Sequence, residues 1–226
     1  MIKMIPDWIY LRSGHPSSDC VAVSPRGAGP LTCDVLSERT ARLAGGLAAL
    51  DVGRGDRVAV LARDGPFLLE VLLACARIHA VLVPLDPRFS ELELSLVAAD
   101  CAPSLLLYEH ALVTSAWAVA EGANCPILSI DRQNGDPSDY DRLLRSLPAP
   151  PTPVEADHPW VILYNCNQSD ALRTATLTHG GILADSIRAA LSWESAGNGA
   201  PRNPAPLYHS GKFDVCALAS LLYGTE

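Results

Sequence analysis

Three side chains of this 226-residue sequence belong to types that could take part in acyl chemistry. Cys166 follows an apolar run that predicts a strand, and a thiolate at a strand end could act as a nucleophile; the alternative is an ordinary cysteine. Lys212, one of two lysines, could pair with a carboxylate or lie on the surface at a helix start. His179, at a predicted helix N-terminus, could assist a bound anion, or it could cap or pack, since the helix dipole disfavours its protonation there.

Composition and charge exclude several classes of protein. The 25 acidic residues outnumber 17 basic ones, the net charge is −8, and no basic run is present. We therefore expect no nucleic-acid binding, which depends on cations placed along phosphates. The longest apolar stretch, residues 67–85, is interrupted by Glu70, Arg77 and His79, so we expect no membrane span.

The seven cysteines are scattered, with no C-x-x-C motif and no zinc spacing, so no metal site is expected. Reduced thiols acting as small buried hydrophobes are typical of a cytoplasmic protein. The N-terminal segment also lacks the apolar core of a signal peptide. These features predict a cytoplasmic location.

Hydrophobic patterning predicts alternating strands and helices. Leu36, Leu43, Leu47 and Leu50 fall on one face of a helix predicted over residues 33–50. The next predicted strands are 56–62, 81–84, 104–108 and 126–130, and the next predicted helices are 64–79, 90–101, 111–121 and 139–147. Because the strands are continuous apolar runs, they favour an α/β fold with a mostly parallel sheet covered by helices on both faces.

Capping residues mark where several of these helices begin. Thr32 is a plausible N-cap of the first helix, and Asp64 of the second, which carries Pro66 in its first turn. Ser90 and Glu93 have the spacing of a capping box. These signals fix the predicted register of the helices.

Composition changes at residues 148–159, which hold five of the 18 prolines and predict an exposed linker. We therefore expect an α/β subdomain at 1–147, the linker, and a segment at 160–226 that completes the same sheet. Its predicted elements are a strand at 160–164, a polar loop at 165–178, a helix at 179–193 and a last helix at 211–222.

Four segments, in this order, are similar to the ANL superfamily of adenylate-forming enzymes, which includes acyl- and aryl-CoA synthetases, peptide-synthetase adenylation domains and luciferases. The segments are residues 31–50, 55–94, 161–183 and 206–224, with the phrases VPLDP, LTH and PLYH. The resemblance implies that a carboxylic acid is activated with ATP and Mg²⁺ to an acyl-adenylate, commonly then passed to a thiol. It covers the first part of the family's large N-terminal domain, and the C-terminal domain with its adenylation lysine has no counterpart here.

The family's phosphate loop, roughly (T/S)-S-G-T-(T/S)-G-x-P-K-G, aligns with residues 165–174 but differs in sequence. Asn167, Asp170 and Thr174 replace the three glycines, and each adds a Cβ where backbone N–H groups should approach phosphate. Arg173 replaces the lysine. At an effective dielectric near 20, the charge of Asp170 at about 4 Å from a phosphate would cost about 4 kcal/mol. The loop is therefore expected to bind triphosphate poorly. It could be a loop repurposed to bind another ligand, or a solvent-exposed turn.

The segments on either side of this loop keep the family phrases. The resemblance implies that Tyr208 and His209 lie beside the acid-binding pocket, although His209 could instead be a buried, hydrogen-bonded histidine. With Cys166, His209 and Lys212 are the candidate catalytic residues, and His179 joins Tyr208 and His209 as a candidate substrate contact. The candidate cofactor contacts are Asn165, Asn167, Gln168, Ser169, Arg173, Thr174 and Thr178.

Three functions remain open on these grounds. The first is a truncated acid-activating homologue that needs a partner chain. It would bind ATP and Mg²⁺ only when that partner completes the site. The second is a small ATP-independent enzyme acting on an acid or acyl substrate in natural-product biosynthesis. The third is a non-catalytic binding subunit. Loss of half a domain should expose a sheet face or edge, so we expect self-association or a second chain.

Overall fold

The computed structural model describes residues 21–23, 31–63, 65–132, 136–166, 172–196, 208–209, 212–213 and 218–219, and the structural statements below concern these residues. The strands are β1 (Val21–Val23), β2 (Leu31–Thr32), β3 (Arg57–Leu61), β4 (Val81–Leu85), β5 (Leu105–Tyr108), β6 (Ile127–Ser129), β7 (Pro159–Cys166), β8 (Leu172–Thr178), β9 (Tyr208–His209) and β10 (Lys212–Phe213). The α-helices are α1 (Cys33–Ala48), α2 (Pro66–Ile78), α3 (Glu91–Cys101), α4 (Val113–Ala123), α5 (Asp139–Leu143) and α6 (His179–Ala196), with a 3₁₀ turn at His110–Leu112.

Six of the strands form one sheet in the order β6-β5-β3-β4-β7-β8. The first five are parallel and β8 runs antiparallel to β7. Helices lie on both faces, because α1, α2, α5 and the start of α6 share one apolar core while α3 and α4 share the other. The predicted α/β class, with a mostly parallel sheet covered on both sides, is confirmed.

The predicted caps are found at α1 and α3 but not at α2. Thr32 accepts a hydrogen bond from the Val35 N–H, and Ser90 and Glu93 bond reciprocally as a capping box. At α2 the N-cap is Gly65, with Pro66 as the first helical residue and no side-chain cap. Asp64, the expected cap, lies outside the described residues.

Two predicted helix ends are wrong. Leu36, Leu43 and Leu47 are fully buried, but α1 ends at Ala48, so Leu50 lies beyond it and is exposed. Likewise α5 ends at Leu143 rather than at residue 147. In both places apolar residues continue the pattern past the point where packing against the sheet stops.

A buried ion pair with a tyrosine joins α1, α2 and α5. Arg39 donates to both carboxylate oxygens of Glu70, at 2.8 and 3.0 Å, and the Tyr140 hydroxyl donates to Glu70 Oε2 at 2.6 Å. The Glu70 side chain is 3% exposed and that of Arg39 is 37% exposed. Burial and the adjacent carboxylate raise the pKa of Tyr140 well above its usual range, so this hydroxyl stays a donor.

The proline-rich segment, expected to be an exposed linker, packs against the core through several hydrogen bonds. The Ala149 N–H donates to the Ala41 carbonyl at 2.8 Å, and Arg77 Nη1 donates to the Ala149 carbonyl at 3.3 Å. The Thr152 hydroxyl donates to the Arg77 carbonyl at 2.7 Å. The segment is therefore tied to α1 and α2, and the domain division at residues 148–159 stays a prediction.

Beyond the linker two predicted elements differ from the structure. The expected polar loop at 165–178 is largely β-hairpin, since β7 extends to Cys166 and residues 172–178 form β8. The expected helix at 211–222 is also wrong in part, because Lys212 and Phe213 form the strand β10, which pairs with β9. Of its remaining residues, 218 and 219 are helical and the others lie outside the described part.

Candidate functional site

The β7–β8 hairpin carries the residues aligned with the phosphate loop. Its ladder pairs Tyr164 with Thr174, Asn165 with Arg173 and Cys166 with Leu172. The hairpin connection is therefore residues 167–171, which include the predicted contacts Asn167, Gln168 and Ser169 and lie outside the described residues. The connection follows the carboxyl end of β7, the edge at which open α/β sheets bind ligands.

Strand alternation separates two predicted cofactor contacts. Thr174 lies opposite Tyr164, whose side chain is in the core shared with α3 and α4. Arg173 lies opposite Asn165, on the other face of the sheet, and both are exposed. Arg173 and Thr174 therefore leave the strand in opposite directions, because successive strand side chains alternate between faces.

An open cleft of about 320 Å³ lies on the Thr174 face, between β7–β8 and the C-terminal end of α3. The Tyr164 hydroxyl donates to Asp100 Oδ2 at 2.5 Å in this cleft. Burial, followed by this hydrogen bond, raises the pKa of Tyr164. The remaining lining residues are Arg57, Cys101, Ala102, Ile162, Thr174 and Thr176.

The polar groups of the cleft are largely satisfied within the protein. The Arg57 guanidinium donates to the carbonyls of Gly55, Cys101 and Ala102. Burial raises the pKa of the Cys101 thiol to about 12, so it is not an activated nucleophile. Sequence reasoning missed this cleft because its polar pair, Tyr164 and Asp100, comes from segments 64 residues apart.

Thr178, a predicted cofactor contact, caps α6. Its Oγ1 accepts a hydrogen bond from the Gly181 N–H at 3.1 Å. A threonine hydroxyl that bonds a first-turn amide in this way satisfies one of the four unpaired donors of the helix. The geometry supports a structural role for Thr178.

Replacing Thr178 by alanine is expected to lower the free energy of unfolding by about 1 kcal/mol, because the Gly181 amide loses its cap. Urea denaturation measures the effect. Thr176→Ala is the matched control, since Thr176 is exposed on the same strand, and it should change stability by less than about 0.5 kcal/mol. Equal losses in the two variants would contradict the capping role.

His179 lies at the end of the hairpin opposite to the connection, because the neighbouring Thr178 pairs with Pro159 at the start of β7. The imidazole is 1% exposed and stacks on Trp160, with ring centroids 4.4 Å apart and an interplanar angle of 3°. Burial, with smaller contributions from His158 and His79, lowers its pKa to about 3. This position supports the packing alternative and gives no support to substrate contact.

The structure brings two candidate catalytic residues together. β9 and β10 form an antiparallel pair in which His209 lies opposite Lys212 and Tyr208 opposite Phe213. Cys166 ends β7 in a different sheet. The side chains of these five residues lie outside the described part of the structure, so their catalytic and substrate roles stay predictions.

Three described residues beside the hairpin connection carry side-chain donors that could bind a phosphate. Asn165 and Arg173 lie on one face of the sheet and Thr174 on the other, so these donors are divided between the two faces. Leu172 and Arg173 also belong to the ladder with β7. Within the described ranges, no group of three or more histidine, cysteine or acidic side chains is placed to hold a metal ion.

None of the helices in the described ranges is long and apolar enough to cross a membrane. In the described part of the chain, Cys33, Cys75, Cys101 and Cys125 form no disulfide. Burial raises the pKa of Cys75 to about 12. The four act as small core or half-buried residues rather than as reactive groups.

Solved structures share this fold. ATP-bound MatB from Rhodopseudomonas palustris superposes with a TM-score of 0.80 at 17% identity, covering 99% of this chain and 44% of MatB. The N-terminal domain of FACL13 from Mycobacterium tuberculosis superposes with a TM-score of 0.76 at 22% identity, covering 99% of this chain and 56% of that domain. The fold is that of the N-terminal domains of adenylate-forming enzymes.

The sequence defines the family more closely. The family model described as AMP-binding enzyme matches residues 13–226, so the chain belongs to the AMP-binding enzyme family. It is 32% identical over 216 residues to a feruloyl-CoA synthase from Amycolatopsis sp, and 26% identical over 213 residues to an indoleacetate–CoA ligase from Aromatoleum aromaticum. It spans 41% of the length of each of these two relatives. The resemblance to the ANL superfamily is confirmed.

Proposed function

We propose that this chain supplies the N-terminal part of an acid-activating ligase site and that its 226 residues alone do not form an acyl-adenylate. The observation that carries the proposal is the β7–β8 hairpin, which keeps the family scaffold around a connection without glycine. The scaffold positions the connection at the carboxyl end of β7, while the residues in and beside it oppose a triphosphate.

Steric clash and charge repulsion both disfavour a triphosphate at this connection. Side chains at 167, 170 and 174 occupy positions where the family has glycine, and the Thr174 side chain lies on the face that borders the cleft. Asp170 adds a negative charge that Arg173 offsets only in part, because a triphosphate is a multiply charged anion. We therefore propose that ATP and Mg²⁺ enter this site only when further residues complete it.

The substrate we propose is a small carboxylic acid, of the aryl type. Two relatives carry names of enzymes that act on aromatic acids, feruloyl-CoA synthase and indoleacetate–CoA ligase. Tyr208 and His209 are the residues we assign to the acid, by their resemblance to the family phrase P-x-F-H. We also propose a cytoplasmic location, where ATP and CoA thiols are available.

The completing residues come, in this proposal, from a partner chain. β8 is the edge strand of the described sheet and pairs on one side only. An unpaired strand edge is a site for pairing with another chain. Acid-dependent ATP–pyrophosphate exchange measures the activity: it should be absent with the 226-residue protein and appear when the partner is added. Exchange by the protein alone would refute the proposal.

Replacing Asp170 by asparagine is expected to strengthen ATP·Mg²⁺ binding at least tenfold, because it removes a repulsion between two negative charges. This repulsion would be about 4 kcal/mol at about 4 Å, and screening by solvent reduces it to a fraction of that value. Isothermal titration calorimetry at low ionic strength gives the two dissociation constants. Asp157→Asn, the same change in an exposed turn before β7, is the control and should leave binding unaltered. Unchanged binding in Asp170→Asn, or tight ATP binding by the unmodified protein, would show that the loop charge does not limit the site.

A second candidate function follows from the pairing of His209 with Lys212. A base and a cation held opposite each other on two strands suit an ATP-independent reaction on an acyl substrate, with Lys212 binding a carboxylate. Turnover of aryl-acyl thioesters without ATP tests this candidate. His209→Ala should then lower kcat/KM at least a hundredfold, whereas equal rates in the variant and the unmodified protein would remove the proposed site.

A further inference from the structure

Three of the six histidines form a column of neighbouring rings at the base of the sheet, away from the hairpin connection; His79 is tilted against His158, and His158 stacks on His179. His79 follows α2 as its C-cap, His158 precedes β7, and His179 is the first residue of α6. Ring centroids are 5.7 Å apart between His79 and His158 and 6.1 Å apart between His158 and His179. Trp160 closes the column beneath His179, with its indole N–H donated to the Leu72 carbonyl at 2.8 Å.

Hydrogen bonds fix the neutral Nε2–H tautomer of His79 and use the Nε2–H of His158 as a donor. Arg54 Nη1 can only donate, so His79 Nδ1 accepts from it at 3.2 Å, and His79 Nε2–H donates to Thr152 Oγ1 at 2.8 Å. His158 Nε2–H donates to the His79 carbonyl at 2.9 Å. Both ring nitrogens of His179 are buried and have no hydrogen-bond partner among the described residues. A proton on His179 would therefore create a buried charge with no acceptor.

Charged groups of both signs lie next to the column in space or in sequence. Arg54 contacts His79, and the carboxylate nearby, Glu155, is already paired with Arg54 at 2.6 Å. Arg77 lies buried near the end of α2, Asp157 is exposed beside His158, and the N-terminus of α6 carries a partial positive charge. Of the groups near the column, the imidazoles of His158 and His79 act on His179 directly, and each lowers its pKa.

The column also anchors the start of α6. The His179 N–H donates to the His158 carbonyl at 3.1 Å and the Gly180 N–H to the Ala156 carbonyl at 2.7 Å. Ile182, Leu183 and Ser186 in the first two turns are buried. From residue 187 to 192 every side chain is exposed or half-buried. The helix is thus held by its first two turns, and a change there can free it without opening the sheet.

We propose that the column His79–His158–His179 is a pH-dependent latch that holds α6 on the sheet at neutral pH and releases it under mildly acidic conditions. Release hydrates His179, so the open state binds a proton that the closed state excludes. α6 directly follows β8, the strand that carries Arg173 and Thr174. The latch therefore links the pH to the mobility of the hairpin's second strand, and it does so independently of the proposed function.

Hydrogen exchange of the 226-residue protein at pH 7.5 and pH 5.0 tests the latch. An exposed imidazole has a pKa near 6.5, so the opening equilibrium of residues 182–192 should increase about thirtyfold between these conditions, after correction for intrinsic exchange. Amides of β3, β4 and β5 should keep their protection. Unchanged α6 exchange, or loss of protection in α6 and the central strands together, would overturn the proposal.

His179→Phe removes the proton site while keeping an aromatic ring on Trp160. In this variant the opening of residues 182–192 should change less than threefold between the two pH values. His110→Phe, at an exposed position in the 3₁₀ turn, is the matched control and should behave like the unmodified protein. An undiminished thirtyfold increase in His179→Phe would assign the effect to another group, and the unmodified protein alone still tests the latch if this variant does not fold.

Discussion

Replacing Arg39 by methionine is expected to lower the free energy of unfolding by about 3 kcal/mol at pH 7, because it leaves the buried Glu70 carboxylate without its cation. Two hydrogen bonds from the guanidinium would be lost, and the Tyr140 hydroxyl would remain as the described donor to Glu70. Methionine keeps most of the aliphatic packing of Arg39. The loss therefore reports the unpaired charge rather than a cavity.

The two partners of this pair should respond differently. Glu70→Gln should cost only about 1–2 kcal/mol, because the Arg39 side chain is 37% exposed and can turn to water, whereas Glu70 is 3% exposed and cannot. The double variant Arg39→Met with Glu70→Gln should be more stable than Arg39→Met alone, since it removes the buried charge.

Urea denaturation at pH 7 measures these differences in free energy. Arg42→Met is the matched control on the same helix: Arg42 pairs with the exposed Glu38, and its loss should cost less than about 1 kcal/mol. A loss in Arg39→Met no larger than that of Arg42→Met would show that the pair contributes little. A double variant less stable than Arg39→Met would show that the charge is not the source of the loss.

Local signals in the sequence were sufficient for the central sheet and for most helices. The apolar runs at 58–62, 81–85 and 105–108 predict buried parallel strands, because both faces of each strand must be apolar. They were predicted over 56–62, 81–84 and 104–108 and are found at 57–61, 81–85 and 105–108. The Ser90–Glu93 box places the start of α3 to the residue. These features depend on contacts within a few residues, which the sequence displays directly.

The strand β8 could not be predicted on the same basis. Its sequence, LRTATLT, is largely polar, and four of its side chains are exposed. The alignment with a glycine-containing loop also favoured a loop at these positions. What makes it a strand is its ladder with β7, a tertiary contact that no local pattern displays.

In the candidate site too, local sequence indicated single residues, whereas tertiary contacts decided their arrangement. Resemblance to a family indicates His209, and the charge of Lys212 indicates a partner for a carboxylate, but a helix is expected over Lys212, so the pairing of the two across β9 and β10 was missed. The burial of His179 was equally hidden, because Trp160 and His158 reach it across the start of the hairpin. Sequence analysis found the residues whose side chains could take part in chemistry. Long-range strand pairing decided which of them lie close together.

Trp160 is where the second large effect is expected, since it joins the sheet core to the histidine column. Its side chain is fully buried, it donates a hydrogen bond to the Leu72 carbonyl, and its ring stacks on His179. Trp160→Ala should lower the free energy of unfolding by about 4 kcal/mol, because it opens a large cavity beneath both groups. Trp160→Phe should cost less, since it keeps a ring for the stack and loses the N–H donor.

Trp117→Ala provides the matched control, because Trp117 is 54% exposed on α4. The same substitution there should change the free energy of unfolding by less than about 1 kcal/mol, since little apolar area is removed from the core. Chemical denaturation followed by circular dichroism avoids the loss of tryptophan signal in either variant. Equal losses at the two positions would mean that Trp160 is not packed as described. A large loss in Trp160→Ala alone would confirm that the base of β7 is a structural centre, on which the start of α6 and the position of β8 both depend.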